Sequence, residues 1–451
     1  MEKAGRIECR VLGGCESFEM GITGLLGLVA PAMKDSHLEQ FRGKVVAVDA
    51  MCWLHRGSYC CVWELSMGME TTRYLHFCEK MIRLLQRYDI KPILVFDGES
   101  LPAKKQEDEE RRARRTKKHE EGKALVAQGK QKEAMQMFTQ SLTVSKEMIK
   151  QFILLLIRMR IPYIIAPYEA DAEIAFLSRT GIVDAVISED SDTLCYRCPC
   201  TLFKLSDNGC CKCVHLPDIF TNQTLHMTTW NCDLFELMCV LSGCDYLPNL
   251  PKVGLKTAKK YIDNGKTIEG ALNLIRVNPI HKWTADYGKQ LKDTLSCFHH
   301  QVIFNPLTSE LEYLTPLASE EEPCSRDGLY GSTHITNGAF GYFGVEMVPK
   351  DTDLSYITSF FASRELCTVP SICRILPQRD DLHSTPKKSL SFARLESGSG
   401  KRCAETSELD SKRQCHCSPT SVVSNDCAIP CWKSSTKASW RSSSGSKAKP
   451  G

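Results

Sequence analysis

Short apolar runs that end near acidic residues constrain the fold of this chain more than any other feature. Runs of this length and composition are typical of buried strands in a parallel sheet. Because ligand sites of open α/β sheets lie at the carboxyl ends of the strands, we expect the acids to meet at one rim. The runs and their acids are residues 45–48 with Asp49, residues 93–96 with Asp97, and residues 185–187 with Asp190 and Asp192.

Seven acidic residues form a candidate metal site. Glu169 and Asp171 open a predicted helix, while Asp190 and Asp192 are predicted on one side of an extended segment. Crowded carboxylates repel one another, and hard cations such as Mg²⁺ relieve that repulsion. Two such ions about 3.5 to 4 Å apart would clamp the attacking and leaving oxygens of a phosphoryl displacement, so the pattern predicts a two-metal phosphodiesterase. The seven acids are Asp49, Asp97, Glu169, Asp171, Asp190, Asp192 and Asp245.

Two other interpretations compete with this metal site. An acid after a strand is often only a helix N-cap, although the spaced pairs at 169/171 and 190/192 are harder to explain that way. A phosphatase with an aspartate nucleophile would need a second aspartate two residues after Asp49. Met51 stands at that position, which excludes the phosphatase.

A dense run of cations follows Asp97. Residues 123–145 continue it as a predicted amphipathic helix pair around Gly129. Such a run is often only a solvated helix face. Beside an acidic site, the same cations could bind phosphates and stabilise transition-state charge. The run shares a predicted helix with the acidic residues 107–110 and comprises Lys104, Lys105, Arg111, Arg112, Arg114, Arg115, Lys117 and Lys118.

Composition is consistent with a soluble enzyme that carries a tail. The 451 residues are 42% hydrophobic and 25% charged, which is enough chain for one large α/β domain with satellites. No apolar run reaches the roughly 18 residues that span a bilayer, so no membrane association is expected. Residues 1–19 mix charges throughout, which argues against a secretory signal. With 24 cysteines and no such signal, we expect reduced thiols in a cytosolic or nuclear protein.

Six cysteines lie close together around a predicted Gly-bearing hairpin. They could offer four thiolates to Zn²⁺. Their spacing matches no standard zinc module, so reduced cysteines on a hairpin are the interpretation that we favour. The six are Cys195, Cys198, Cys200, Cys210, Cys211 and Cys213.

Six motifs in fixed order resemble the XPG/flap endonuclease family and, within it, the exonuclease 1 branch. The resemblance covers about residues 20–317 and is highly specific because all six motifs occur in order. The motifs are Met20-Gly-Ile-Thr-Gly-Leu-Leu26, Val46-Ala-Val-Asp49 with Cys52-Trp-Leu-His55, Lys91-Pro-Ile-Leu-Val-Phe-Asp-Gly98, Ala166-Pro-Tyr-Glu-Ala-Asp-Ala172, Ser188-Glu-Asp-Ser-Asp192 and Leu241-Ser-Gly-Cys-Asp-Tyr246.

The resemblance implies an α/β fold of the PIN-like flap endonuclease type. Its central, largely parallel sheet would be flanked by helices, with a helical arch and a helix-two-turn-helix that binds DNA. The implied activity is a structure-selective, Mg²⁺-dependent 5′ to 3′ exonuclease on duplex DNA that also cuts 5′ flaps in DNA repair. Two Mg²⁺ ions per active site, which Mn²⁺ could replace, and a K⁺ ion at the helix-two-turn-helix are implied as well.

The implied partner is DNA with nicks, gaps, 5′ flaps or recessed ends. Mismatch-repair proteins or a sliding clamp are further candidates, because Ile357-Thr-Ser-Phe360-Phe361 partly resembles their binding peptides. The alternative for this segment is a packed terminal helix. The protein is expected to be a monomer. It is expected in the nucleus, since Lys401-Arg402 and Lys412-Arg413 resemble a bipartite import signal.

Motif matches carry residue roles over to this sequence. The seven acids occupy the family's metal-binding positions. Lys104 and Arg111 resemble its catalytic cations, Arg115 a further phosphate contact, and His55 the wedge residue that splits the duplex. The segment that resembles the helix-two-turn-helix contains the candidate DNA contacts Lys252, Gly254, Lys256 and Lys259.

Three departures from the family pattern bear on activity. Met51 replaces the usual aromatic, whose stacking on a base is worth about 1 to 3 kcal/mol. Lys252 replaces the first glycine of the usual Gly-Ile-Gly, in a turn where positive φ would favour glycine. Nineteen residues precede Met20, where the family's chain begins near the active site. Initiation at Met20 would remove that extension. The alternative function is therefore a catalytically weak protein of the same fold that binds DNA junctions.

The predicted organisation has six parts. These are residues 1–19 as an N-terminal extension, 20–118 as an N-terminal nuclease region, 119–157 as the continuation of the helical arch, 158–317 as an internal nuclease region with the helix-two-turn-helix, 318–363 as a C-terminal helical segment, and 364–451 as a disordered basic, Ser-rich tail.

Overall fold

A computed structural model of the chain describes residues 20–317, 329, 331 and 352–364. The N-terminal extension and the import signal predicted at 401–413 lie outside these residues. The strands are β1 (Lys34–His37), β2 (Val45–Asp49), β3 (Lys91–Phe96), β4 (Tyr163–Ile165), β5 (Ala185–Ile187), β6 (Cys200–Phe203), β7 (Cys210–His215), β8 (Val302–Asn305) and β9 (Glu310–Tyr313). The helices are α1 (Leu25–Val29), α2 (Ala50–Ser58), α3 (Val62–Ser66), α4 (Tyr74–Arg87), α5 (Lys105–Ala127), α6 (Gln131–Ser141), α7 (Lys146–Met159), α8 (Ala170–Arg179), α9 (Asp192–Cys195), α10 (Leu216–Thr221), α11 (Cys232–Leu241), α12 (Leu255–Gly265), α13 (Ile268–Arg276), α14 (Ala285–His300) and α15 (Ser355–Ala362).

The central sheet has the order β1-β7-β6-β5-β2-β3-β4. Strands β6, β5, β2, β3 and β4 are parallel, and β7 and β1 continue the sheet antiparallel at one edge. Every residue of β2, the middle one of the five parallel strands, is buried. This is the pattern of a parallel sheet covered on both faces. The predicted fold class, a largely parallel sheet flanked by helices, is confirmed.

The three predicted acid-bearing strands are confirmed. Asp49 is the last residue of β2, and Asp97 directly follows β3. Asp190 lies three residues beyond β5. Because these strands are parallel, their carboxyl ends open on one rim of the sheet. Topology thus assembles acids that are up to about 140 residues apart in sequence.

A helix pair projects beside this rim, as the sequence predicted. Helices α5 and α6 are joined at Gly129, whose φ of 75° suits glycine. Gly122, where a Cβ would lie 2.5 Å from Phe138, lets the two helices approach closely. Phe138 packs edge-on against Trp63 of α3, with ring centroids 5.9 Å apart. A small apolar cluster separate from the main core therefore holds this arch in place.

The sequence pattern also predicts an alternation of strand and helix from Met20 to about residue 270, and this prediction is wrong beyond β7. The described chain from Leu216 to His300 is helical, α10 to α14, with loops between the helices. These helices bury apolar faces against one another, as with Ala258 and Ile262 of α12 and Leu272 and Ile275 of α13. Amphipathic helices that pack together need no strand between them.

The candidate partner peptide forms helix α15. Ile357 and Phe361 are buried in the main core, and the Tyr356 hydroxyl donates to the carbonyl of Ile161 at 3.4 Å. Arg364 donates to the carbonyl of Ile182 at 2.6 Å. This is the packed terminal helix that the sequence left as the alternative. In the described part of the chain, no helix is both long and apolar enough to cross a membrane.

Replacing the buried anchor of α15 tests this packing. Phe361→Ala is expected to lower the free energy of unfolding by about 3 kcal/mol, because it leaves a cavity in the core. Ser359→Ala, on the exposed side of the same helix, should change it by less than about 0.5 kcal/mol. Denaturant unfolding measures both. Equal effects of the two substitutions would show that α15 is not docked.

Candidate active site

Asp49 is held at the end of β2 by groups from two other segments. Its Oδ1 accepts a hydrogen bond from the Cys52 N–H at 3.0 Å, so Asp49 also caps helix α2. Its Oδ2 accepts from the Ser188 hydroxyl at 3.0 Å and from the Cys52 thiol at 2.8 Å. Asp49 is therefore a helix N-cap and also a candidate site residue, and the capping bond fixes the direction of its carboxylate.

The ends of β3 and β4 bring three further acids together. The Ala170 N–H donates to Asp97 Oδ1 at 2.9 Å, and the Gly98 N–H donates to the Tyr168 carbonyl at 2.7 Å. These bonds tie the residues after β3 to the start of α8. Glu169 is the N-cap of that helix, and Asp171 lies in its first turn, where the helix dipole favours negative charge.

Asp190 and Asp192 lie in a turn and not on the extended segment that was predicted. Ser191 between them has helical φ and ψ values, and Asp192 is the first residue of the short helix α9. The turn allows the Asp192 N–H to donate to Asp190 Oδ1 at 2.8 Å. A local side chain to backbone bond has thus prevailed over an extended conformation.

The first described residues of the chain close this part of the site. The Ile22 N–H donates to the Ser191 hydroxyl at 2.9 Å and to Asp192 Oδ1 at 3.1 Å. Gly21 has a φ of 76°, and a Cβ there would lie 2.3 Å from the carboxylates of both Asp190 and Asp192. Only a glycine allows the backbone this close to the two acids.

The basic residues Lys104 and Arg111 reach the acids from the start of the arch. Lys104 Nζ lies 2.5 Å from Glu169 Oε1 and 2.8 Å from Asp245 Oδ2. Arg111 forms ion pairs with Asp245 and with Glu107 of its own helix. Both predicted catalytic cations are therefore brought to the site, where they pair with its carboxylates.

Burial and mutual repulsion change the acidity of this cluster. Burial raises the pKa of Asp190 to about 7. Burial and then the neighbouring carboxylates raise the pKa of Asp171 and of Asp192 well above the usual range. Burial also acts on Asp245, but Lys104 and Arg111 outweigh it and hold its pKa below the usual value. Lys104 and Arg111 therefore offset the charge of Asp245 but not the repulsion among Asp171, Asp190 and Asp192.

The donor chemistry of the site fits a hard divalent cation. The seven side chains offer only carboxylate oxygens, and the buried Oδ1 of Asp171 has no hydrogen-bond partner. A buried charged oxygen without a partner is costly, and a cation would satisfy it. Among the described residues, two groups of three side chains have possible ligand atoms within 4.8 Å of one another. Neither group contains any of the seven acids. The acids are held near one another without converging on a single point.

Sequence reasoning missed the groups that orient Glu169. The Tyr246 hydroxyl donates to Glu169, and it lies 2.7 Å from the Tyr196 hydroxyl. The buried Gln301 donates to Glu169 Oε2 at 3.4 Å. Tyr246 directly follows Asp245, so its place in that motif was a signal. Nothing in the sequence placed Tyr196 or Gln301 near Glu169.

His55 and Arg115 lie near each other at the edge of the site. The His55 ring contacts Tyr59 edge-on, with centroids 5.1 Å apart. Burial and then the positive charge of Arg115 lower the pKa of His55, so its imidazole is neutral at pH 7. Arg115 itself is exposed on α5. Met51, in α2, is half-buried against the main core.

The candidate DNA contacts after Asp245 surround the start of α12. Gly254 is its N-cap and offers no side-chain cap, so the first N–H groups of the helix are available to a phosphate. Lys252 has a φ of 62°, the left-handed conformation that favours glycine, and both it and Lys256 are exposed. Lys259 instead pairs with Asp263 at 2.8 Å and lies over the Trp230 ring. Its charge is used within the protein.

Two solved structures contain chains that are similar to this one. The catalytic core of Rad2 in complex with DNA substrate matches with a TM-score of 0.46 at 21% identity, over 61% of this chain and 80% of that one. Flap endonuclease-1 from Methanococcus jannaschii matches with a TM-score of 0.41 at 22% identity, over 58% and 82%.

Curated relatives are similar over the region that contains the site. Exodeoxyribonuclease 1 of Schizosaccharomyces pombe is 35% identical over 69% of this chain and 54% of its own length. Exonuclease 1 of Xenopus laevis is 34% identical over 67% and 42%. The chain thus spans about half the length of these relatives. It spans 69% of the DNA damage-inducible protein DIN7 of Saccharomyces cerevisiae, at 32% identity.

Family models match the two segments that carry the acids. Residues 20–118 match the XPG N-terminal domain, and residues 160–245 match the XPG I-region. The first segment contains Asp49 and Asp97, and the second contains the other five acids. With the identity to relatives given above, these matches show that the chain belongs to the XPG/flap endonuclease family.

Proposed function

We propose that this protein is a Mg²⁺-dependent, structure-selective 5′ to 3′ double-stranded DNA exonuclease that also cuts 5′ flaps. The observation that carries the proposal is the collection of seven carboxylates at one rim, with Lys104 and Arg111 paired to them. Relatives named exonuclease 1 over the same region support it. The protein would act in DNA repair, as a monomer in the nucleus.

The carboxylates would hold two Mg²⁺ ions, for which Mn²⁺ could substitute. Such ions supply an activated water and stabilise the charge of the displaced oxygen. Asp171, with its unpartnered oxygen, and Asp192 are the acids best placed to bind a cation, because burial and neighbouring carboxylates disfavour their negative charge. Tyr246 would keep Glu169 oriented as the cation binds.

Lys104 and Arg111 would act on the scissile phosphate. In the structure they neutralise Glu169 and Asp245. A substrate phosphate brings its own negative charge to the same place, so both cations could pair with it while the acids bind metal. Arginine matches phosphate geometry with two parallel hydrogen bonds, and lysine acts as a point charge. The pair thus supplies charge stabilisation where the phosphate reacts.

Duplex DNA would be held by contacts to its phosphates on both sides of the site. The uncapped N–H groups after Gly254, with Lys252 and Lys256, suit one strand without reading its bases. A K⁺ ion in this turn is part of the proposal. His55 and Arg115, which lie near each other, would contact DNA at the arch side. Binding of this kind recognises the shape of nicks, gaps, flaps and recessed ends.

Two further points concern protein partners and a second candidate function. Contacts with mismatch-repair proteins or a sliding clamp through residues 357–361 would require α15 to leave the core, since Ile357 and Phe361 are buried. A catalytically weak junction-binding protein is the second candidate function. The half-buried thioether of Met51 and the strained Lys252 turn are the features that favour it.

Replacing one central acid tests the activity. With the Met20 form in Mg²⁺, Asp192→Asn is expected to slow cleavage of a 5′-labelled nicked duplex and a 5′-flap duplex about a thousandfold. That loss corresponds to about 4 kcal/mol of transition-state stabilisation. The matched control is Asp207→Asn, which alters an exposed aspartate that pairs with Lys80. It should leave the rate unchanged.

The same experiment separates the two candidate functions. Cutting that persists in Asp192→Asn, or that needs no divalent cation, would contradict the nuclease mechanism. Tight binding of the flap duplex without cutting by the unsubstituted protein would instead support the junction-binding protein. Comparing the Met1 and Met20 forms shows whether the extension slows cleavage, since the Ser191 N–H donates to the carbonyl of Met20 at the site.

Gly21→Ala tests the close approach of the backbone to Asp190 and Asp192. Relief of the collision should displace these acids and slow cleavage about tenfold to a hundredfold, for a distortion of about 1 to 3 kcal/mol. Gly24→Ala is the control, because Gly24 has a similar φ of 79° but open space around its Cβ. It should lower stability without slowing cleavage. Equal rates for the two variants would contradict the role given to Gly21.

Lys252→Gly tests the cost and use of the lysine in the left-handed turn. Glycine should raise the free energy of unfolding by up to about 1 kcal/mol, because it relieves the strained φ. DNA affinity should fall, with the salt dependence of binding reduced by about one counterion. Lys256→Gly removes the same charge within α12, where glycine should instead destabilise by about 1 kcal/mol. Denaturant unfolding and salt-dependent DNA binding are measured for both variants. Destabilisation by Lys252→Gly would contradict the inference that the φ of Lys252 is strained.

A further inference from the structure

Two cysteines and a histidine meet at the hairpin formed by β6 and β7. Cys200 Sγ lies 3.7 Å from Cys213 Sγ, and Cys213 Sγ lies 3.5 Å from His215 Nε2. All three atoms are within 4.8 Å of one another. Both cysteines are buried, while His215 is exposed. The trio therefore combines enclosed sulfur atoms with a side open to solvent.

The strand register explains why these three side chains share one face. Cys200 lies directly opposite His215 in the antiparallel pair, and Cys213 lies opposite Leu202. Residues two apart on a strand point to the same face, so Cys213 and His215 both face Cys200. Regular pairing of the two strands thus fixes the arrangement.

The remaining cysteines of this segment do not join the trio. Cys195 interacts with Cys239 of α11, and Cys210 is exposed at the other end of β7. Cys211 interacts with Ser36 of β1. Cys198 is buried but lies outside the compact group as well, so the four-thiolate arrangement that the sequence left open is not formed. His215, which the cysteine spacing did not include, takes part instead.

The separations match those of ligands around zinc. With zinc–sulfur bonds of about 2.3 Å and zinc–nitrogen bonds of about 2.0 to 2.1 Å, tetrahedral angles place two sulfurs about 3.8 Å apart and sulfur and nitrogen about 3.5 Å apart. The observed distances are 3.7 and 3.5 Å. The third separation, between Cys200 Sγ and His215 Nε2, is within 4.8 Å, so a small side-chain movement would bring all three atoms to one ion.

The electrostatics of the trio favour a cation as well. Hydrogen bonds from Cys200 and His215 lower the pKa of the Cys213 thiol to about 5, against the opposing effect of burial. Asp218 of α10 is near enough for its negative charge to act on both Cys213 and His215. Asp218 pairs with the exposed Lys34, so a ready exchange of partners could free its carboxylate.

This location is remote from the seven carboxylates. Cys200 begins β6, whereas the acids follow the carboxyl ends of β2, β3 and β5, which are parallel to β6. The trio thus lies at the opposite rim of the sheet. An ion there would join the antiparallel edge hairpin to the start of α10 and would take no part in phosphodiester chemistry.

We propose that Cys200, Cys213 and His215 bind one structural Zn²⁺ ion, with Asp218 moving from Lys34 to the trio as the fourth ligand. Thiolate and imidazole ligands select zinc over the Mg²⁺ expected at the carboxylates. The other compact trio, Asp233, Glu236 and His299, carries no such proposal. The Arg197 guanidinium already pairs with Asp233 at 2.5 Å and with Glu236 at 2.8 Å.

Metal analysis of the purified, reduced full-length chain tests the site. Wild type should hold one more zinc ion per chain than His215→Ala or Cys213→Ser. Cys210→Ser, which removes an exposed thiol at the far end of β7, should retain that ion. Zinc held by other cysteines is present in all of these proteins, so the difference in zinc content reports only the proposed site. After exchange of zinc for Co²⁺, wild type and Cys210→Ser should show equal thiolate-to-cobalt absorption. This absorption should be weaker in His215→Ala and Cys213→Ser.

Thermal unfolding distinguishes a structural ion from incidental binding. A chelator should lower the unfolding midpoint of wild type and Cys210→Ser but not that of His215→Ala, whose exposed side chain can be removed without disturbing the core. Equal zinc content in wild type and His215→Ala would overturn the proposal. A Cys200–Cys213 disulfide in protein purified under reducing conditions would overturn it as well. Neither result bears on nuclease activity, because the test does not use DNA.

Discussion

Repulsion among carboxylates at one rim of the sheet is the constraint on which the rest of this site depends. Parallel strands bring the acids together, and burial of Asp171 and Asp192 makes their charges costly. The surrounding elements offset that cost with backbone N–H groups from α8 and from the first described residues, and with Lys104 and Arg111 from the arch. A site built this way retains an unmet demand for positive charge. That demand is the physical basis for the proposed binding of metal and of a substrate phosphate.

The cations link the arch to the chemistry. Lys104 immediately precedes α5, and Arg111 lies within it, so their ion pairs with Glu169 and Asp245 anchor the base of the helix. The far part of the arch is held separately, by Phe138 against Trp63 and Gly122. Two independent attachments allow the base to change partners, from carboxylates to a phosphate, without loss of the whole helix pair. The arch is thus coupled to the site through charge and not through the main core.

The opposite rim of the same sheet uses a different chemistry. Cysteine and histidine side chains lie close together there on an antiparallel strand pair, whereas carboxylates gather at the ends of the parallel strands. An ion held by Cys200, Cys213 and His215 would add a cross-link between β6 and β7 to the backbone pairing of these two strands. One sheet can in this way carry a hard-ion site and a soft-ion site without competition between them.

The sequence by itself determined the strand-and-acid pattern, the seven carboxylates, the helix pair around Gly129 and the family. Each of these is written in local order: an apolar run, the acid that ends it, or a motif of adjacent residues. Only the tertiary structure decided which partners those residues meet. A local bond that competes with an extended chain produces the turn at Ser191. Contacts between segments produce the helical region after His215 and the bonds from Tyr246 and Gln301 to Glu169. The pairing of Lys259 with Asp263 likewise appears only in the folded chain. The Cys200–Cys213–His215 trio depends on strand register in the same way, because spacing along the chain does not state which residues of two paired strands lie opposite each other.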